Sequence, residues 1–182
     1  MKKFNSKSCE EIMTTVYKPI EFVVDGLLAQ GLYILAGAPK VGKSWLALDM
    51  CLSIAKGEKV LDQETTQGTA LYLCLEDSYV RIQNRLYEIT DEPTERLHFV
   101  IMSESIGSGL EEQIKNFKKE HSDLKVVFID TLQMIRESTD NGYGSDYKEL
   151  SILKCLADKL EIAIVAVHHT RKCSDSDPFN MI

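Results

Sequence analysis

The chain is expected to fold as an α/β domain with a mostly parallel central sheet and helices on both faces. Three observations lead there. Residues 69–75, 125–129 and 162–167 are nearly continuous apolar runs, the pattern of strands buried on both faces. Helical patterns alternate with them, which implies parallel strands joined by right-handed crossovers. An eight-residue glycine-bearing loop stands between a short apolar run at 32–36 and a helical pattern, and it puts the site outside the C-terminal ends of the strands.

Residues 1–19 are polar, end at Pro19 and read as an N-terminal extension, with a short capping helix around 10–17. Residues 20–24 suit a short strand, and Asp25-Gly26 and Gln30-Gly31 are turn signals before the strand at 32–36. A helix over 43–56 would put Ala47, Met50, Cys51, Ile54 and Ala55 on one face and stop at Gly57. Residues 58–68 form a polar connection to the strand at 69–75. A helix carrying Val80, Ile82, Leu86 and Ile89 follows, then a strand at 97–102. Ser108-x-x-Glu111 predicts a capping box before Leu110, Ile114 and Phe117, and Asp146-x-x-Glu149 a second before Leu150, Leu153, Ala157 and Leu160.

A chain of 182 residues with 44% hydrophobic content can bury one substantial core, so residues 20–182 are expected as a single domain. The net charge of -7 argues against a broad surface for nucleic acid or anionic membrane; any such contact must be local. Five cysteines without C-x-x-C spacing indicate neither a zinc site nor a disulfide framework, and Cys51, Cys74 and Cys155 fall within apolar patterns. With no signal-peptide core and no run of 18 apolar residues, a cytoplasmic protein without membrane contact is expected.

The loop Gly37, Ala38, Pro39, Lys40, Val41, Gly42, Lys43, Ser44 fits G-x-x-x-x-G-K-[ST], and Trp45 opens the helix behind it. Its amides would turn inward on a β-phosphate, the helix start adds partial positive charge, and Lys43 adds a full one. Ser44 would place its hydroxyl on Mg²⁺, so residues 37–45 are the expected ATP-binding segment. Asp130 ends the apolar strand 125–129 and is the expected second Mg²⁺ holder, with capping of the next turn as the alternative. Glu76, at another strand end, could take the proton of the water that attacks the γ-phosphate; Asp77 competes for that role or caps the next helix. The run His168-His169-Thr170-Arg171-Lys172 suits a γ-phosphate sensor, or a histidine bonded to a loop with solvated cations beside it. Adjacent histidines on a strand point to opposite faces, which argues against a metal pair. Residues 137–147 bring Tyr143 and Tyr147 to a glycine-bearing loop, either a stacking surface for bases or a plain surface loop.

Residues 37–44, 73–77, the run Val126-Val127-Phe128-Ile129-Asp130-Thr131-Leu132-Gln133-Met134-Ile135-Arg136 and the double-histidine run together resemble the RepA-type replicative helicase ATPases of plasmids and mobile elements, a branch of the RecA/DnaB-like fold. The resemblance spans about residues 20–182. It implies an ATPase that works as a homo-oligomeric ring, usually a hexamer, with nucleotide between subunits and single-stranded DNA near central loops. Residue by residue, it makes Lys43 and Ser44 the phosphate and magnesium ligands, Glu76 the catalytic carboxylate, Asp130 the magnesium aspartate and His169 the γ-phosphate sensor. Family members continue beyond Asp177-Pro178-Phe179-Asn180-Met181-Ile182 with a glycine-rich loop and more strands. The core is therefore expected to be incomplete at the C-terminus, without a DNA-facing loop, an arginine finger and the strands beside the phosphate-loop strand, whose apolar edge would lie uncovered. Three functions follow: an ATP-hydrolysing motor domain, an ATP-binding regulatory or assembly module with little turnover, and a kinase, for which lid arginines and an acceptor pocket are not evident.

Overall fold

Alternate residues of a strand point to opposite faces, so an all-apolar strand needs cover on both sides. The computed structural model, which describes residues 4–136 and 143–170, supplies that cover. The chain runs through helix α1 (Cys9–Thr14), an antiparallel pair β1 (Phe22–Val24) and β2 (Leu28–Ala29), strand β3 (Gly31–Gly37), helix α2 (Lys43–Lys56), β4 (Thr69–Cys74), α3 (Tyr79–Ile89), β5 (Leu97–Val100) and α4 (Leu110–Glu120). It continues through β6 (Leu124–Asp130), a 3-10 turn (Leu132–Ile135), α5 (Tyr143–Leu160) and β7 (Ala163–His169). Strands β3, β7, β6, β4 and β5 lie side by side in that order, and each pairing is parallel.

The two faces have separate cores. Ala70 and Tyr72 of β4, Val126 and Phe128 of β6, and Val165 and Val167 of β7 pack with Leu48, Cys51 and Ile54 of α2. The residues between them, Leu71, Leu73, Val127, Ile129, Ile164 and Ala166, pack on the other side with Leu110 and Ile114 of α4 and Leu153 and Leu156 of α5. The sheet that the apolar runs predict is therefore present, with helices on both faces.

The helix starts differ from expectation. Gly109, not Ser108, is the N-cap of α4; it makes no side-chain cap, and Glu111 accepts from the Gly107 amide. Burying Leu110 and Ile114 contributes about 1.5–3 kcal/mol each, which outweighs the roughly 1 kcal/mol of a missing cap. Position 146 lies inside α5, which already begins at Tyr143, so the second box marks no helix start, and Glu149 is an ion-pair partner of Arg136 at 2.8 Å. The strand expected over 97–102 ends at Val100, and Cys155 is exposed rather than packed.

Strand β3 pairs with β7 alone, leaving its other edge open among the described residues, with Ile34 43% exposed. Helix α1, capped by the Ser8 hydroxyl, buries no residue. No described helix is long and apolar enough to cross a membrane. Arg171, Lys172 and the sequence 137–142 lie outside the described residues.

Candidate nucleotide site

Parallel register brings the strand ends to one level. Gly37 of β3 lies opposite His169 of β7, and Cys74 of β4 opposite Asp130 of β6, so Glu76 falls just beyond the same edge. Asp130 shares its face with Phe128, the side covered by α2, and α2 presents Ser44 there. Ser44, Glu76, Asp130 and His169 thus share one cavity of about 210 Å³. Its walls also carry Arg81 and Arg85.

The glycine loop behaves as its composition demands. Gly42, with φ +94°, adopts a backbone that only glycine enters freely, and it leaves the first turn of α2 without a side-chain cap. First-turn amides are therefore left for an anion. The Lys43 ammonium, 7% exposed, donates to the carbonyls of Gly37 and Ala38, each at 2.8 Å. An ammonium has three donors, so one remains while the lysine braces the loop.

Each carboxylate is held by a hydroxyl from the other's strand. Tyr72 of β4 donates to Asp130 Oδ2 at 2.9 Å, and its oxygen lies 3.3 Å from the Ser44 carbonyl. Burial, and then the Asp130 charge, push the phenol far above its ordinary range, so it stays a neutral donor. The Cys74 thiol is raised by the same two causes and stays protonated. Thr131, which follows β6 through a cis peptide bond, donates to Glu76 Oε1 at 2.8 Å.

Asp77 is committed elsewhere. Its carboxylate pairs with Arg85 at 2.6 Å, lies 3.9 Å from Arg81 and accepts from the Ser78 amide. The cap of α3 is the Ser78 hydroxyl, so the expected capping by Asp77 gives way to an ion-pair role. The Arg85 guanidinium stands 5.6 Å from the Trp45 ring centroid, a cation–π contact beside the phosphate loop. His168 is half-buried and His169 exposed.

The sequence reading missed Tyr72, Thr131, Arg81 and Arg85. Asp77, Arg81 and Arg85 recur every four residues, one stripe of a helix, and that signal was available. The hydroxyl contacts had no local signal, since they join residues 58 and 55 positions apart. A larger cavity of about 500 Å³ between α3 and β5 carries no lysine, arginine or histidine; its charged wall residues, Asp91 and Glu92, repel phosphate.

The described residues contain no group of three or more metal-ligating side chains, and Mg²⁺ does not need one. It binds through one or two protein oxygens together with phosphate and water, which fits the Ser44 hydroxyl and the Asp130 carboxylate in the shared cavity.

A phosphate-binding loop after β3, carboxylates at the ends of two neighbouring strands and a five-stranded parallel sheet define a RecA-like P-loop domain. More narrowly, the model of the AAA domain family matches residues 7–175, and the chain belongs to that family. Two curated relatives, from Chlamydia trachomatis serovar L2 and from Chlamydia trachomatis, are each described as a probable plasmid replicative DNA helicase. Each is 28% identical over 200 residues, covering 94% of this chain and 42% of the relative, so the chain spans less than half their length. Among solved structures, one described as an ATPase domain superposes with a TM-score of 0.61 over 82% of this chain and 62% of that one. At 12% identity that likeness speaks for the fold.

Proposed function

We propose that the chain is the Mg²⁺-dependent, ATP-hydrolysing motor core of a helicase-like replication protein, with residues 1–19 as an extension and 20–182 as the core. The observation that carries this is the single cavity shared by Ser44, Glu76, Asp130 and His169 beside the Lys43 loop. Residues 37–45 cradle the phosphates, with Lys43 offering its third donor to them. Ser44 and Asp130 hold the metal, which when bound neutralises charge between the β- and γ-phosphates. Glu76 is the base: the water oxygen bonds to the γ-phosphorus, its proton passes to the carboxylate, and the bond to the bridging oxygen breaks as ADP leaves with the electron pair. His169 senses the γ-phosphate. Asp77 is the weaker candidate for the base because two arginines already engage it.

The relatives' description as probable plasmid replicative DNA helicases supports DNA as the polymer; single-stranded DNA, a homo-oligomeric ring and the cytoplasm complete the reading on the sequence resemblance alone. The test is phosphate release from ATP with and without single-stranded DNA. Glu76→Gln is expected to keep nucleotide binding and lower turnover by about 10²–10⁴-fold. Release at the parent rate by that variant removes Glu76 from the chemistry. Nucleotide binding without release by the parent chain marks it instead as an ATP-binding assembly module.

A further inference from the structure

We infer that Thr131 is the positioning residue for Glu76: its hydroxyl clamps the carboxylate through Oε1 and leaves Oε2 to receive the proton of the attacking water. The inference rests on the reading of Glu76 as the base. Thr131 is 2% exposed, and a β-branched side chain in an enclosed site has few rotamers to choose from. Its Oγ1 lies 2.8 Å from Glu76 Oε1, the one hydrogen bond to that carboxylate found among the described residues.

Glu76 is exposed, so few neighbours restrain its side chain. A hydrogen bond from a buried hydroxyl to a charged carboxylate is of the same order as the rotamer entropy of fixing a glutamate, so this one contact weighs on where the carboxylate stands. The backbone beneath is already set, with the Leu75 amide donating to the Asp130 carbonyl at 2.9 Å. What remains to be fixed is the side chain.

Thr131 is itself anchored on the far side of the sheet from α2. Its carbonyl accepts from the Met134 amide in the 3-10 turn, the Ile135 carbonyl accepts from the Ile106 amide before α4, and Arg136 pairs with Glu149 of α5. The orientation of Glu76 is thereby tied to elements on the face of the sheet opposite α2. Together with the Tyr72 bond to Asp130, this cross-braces the site: each strand end supplies one carboxylate and is held by a hydroxyl from the other.

Thr131→Val preserves shape and deletes the donor. It is expected to lower kcat about 10–100-fold, leaving fluorescent-nucleotide binding and the KM for ATP near parent values, and Thr131→Ser is expected to restore most of the loss. Combined with Glu76→Gln, Thr131→Val is expected to cost nothing further. Parent-like kcat in Thr131→Val, alongside lost turnover in Glu76→Gln, overturns the clamp and spares the reading of Glu76. Serine as impaired as valine also overturns it, since the defect is then one of packing. Undiminished turnover in Glu76→Gln overturns the parent reading and the clamp with it. A readout independent of turnover is urea unfolding of Thr131→Val, Glu76→Ala and their combination. The two destabilisations are expected not to add; strict additivity shows that no bond couples the pair and overturns the clamp.

Discussion

The two ends of the sheet are built from the same strands and differ in what their polar groups do. At the N-terminal ends, polar groups are spent on one another: Thr69 donates to Asp123, Arg96 pairs with Asp123, and Lys118 donates to the carbonyls of Ser122 and Leu124. Rings of His98, Phe117 and His121 cluster there in tilted and edge-on contacts, with centroids 4.3–5.2 Å apart. At the C-terminal ends, the groups are held but not consumed. Lys43 keeps a donor in reserve, and Asp130 and Glu76 are each bonded by a neutral hydroxyl that leaves their charge standing. One end pairs most of its polar groups internally, with the buried His98 Nε2 as the exception, and the other keeps a donor and two carboxylates available, as the proposed nucleotide site requires.

Substitutions can break that contrast, and the largest effect is expected from Lys43→Ala. It removes the buried positive charge of the loop together with the brace to Gly37 and Ala38, and nucleotide affinity is expected to fall by at least about 100-fold in a fluorescence titration. Unchanged affinity would move the site elsewhere. A smaller effect is expected of Tyr72→Phe, which leaves Asp130 without its donor: the Mg²⁺ concentration needed for half-maximal nucleotide binding should rise about tenfold, with little change in the absence of the metal.

The opposite end should answer only in stability. Thr69→Val deletes the bond to Asp123 and is expected to cost about 1 kcal/mol in urea unfolding without altering nucleotide affinity. The same end sharpens the contrast through pH. Burial, and then the neighbouring His121, hold His98 below its ordinary pKa, so the folded state resists a proton that the unfolded chain accepts. His98 therefore contributes stability above about pH 6.5, lost as pH falls from there toward its folded value. The Thr69 hydrogen bond, foremost, depresses the Asp123 carboxyl, whose contribution is lost only on further acidification, below about pH 4. Thermal unfolding between about pH 7.5 and 5 should show the His98 step, and His98→Phe should flatten it.

The layout of the sheet was legible in the sequence because β4, β6 and β7 are apolar at nearly every position that both layers cover, and a parallel interior strand has that pattern. The phosphate loop was legible because its chemistry is local, a glycine φ and a lysine within eight residues. Strand order was not, and with it went the cross-bracing, which depends on β4 and β6 being neighbours. The two capping boxes misled for another reason. A box is a local preference of about 1 kcal/mol, and burial of Leu110 and Leu153 decides where a helix stands. His169 lies where its strand pattern puts it, at the cavity wall, whereas Arg171 and Lys172 beyond it fall outside the described residues.

Trp45 is the sole tryptophan of the chain, one residue from Ser44, 37% exposed and stacked by Arg85. All indole emission from the protein thus originates at the mouth of the phosphate loop, from a ring whose partner guanidinium also lines the cavity. The protein carries its own optical probe: a triphosphate bound at the proposed site would shift the charge around a single fluorophore, and its occupancy could then be followed in real time on the unlabelled chain.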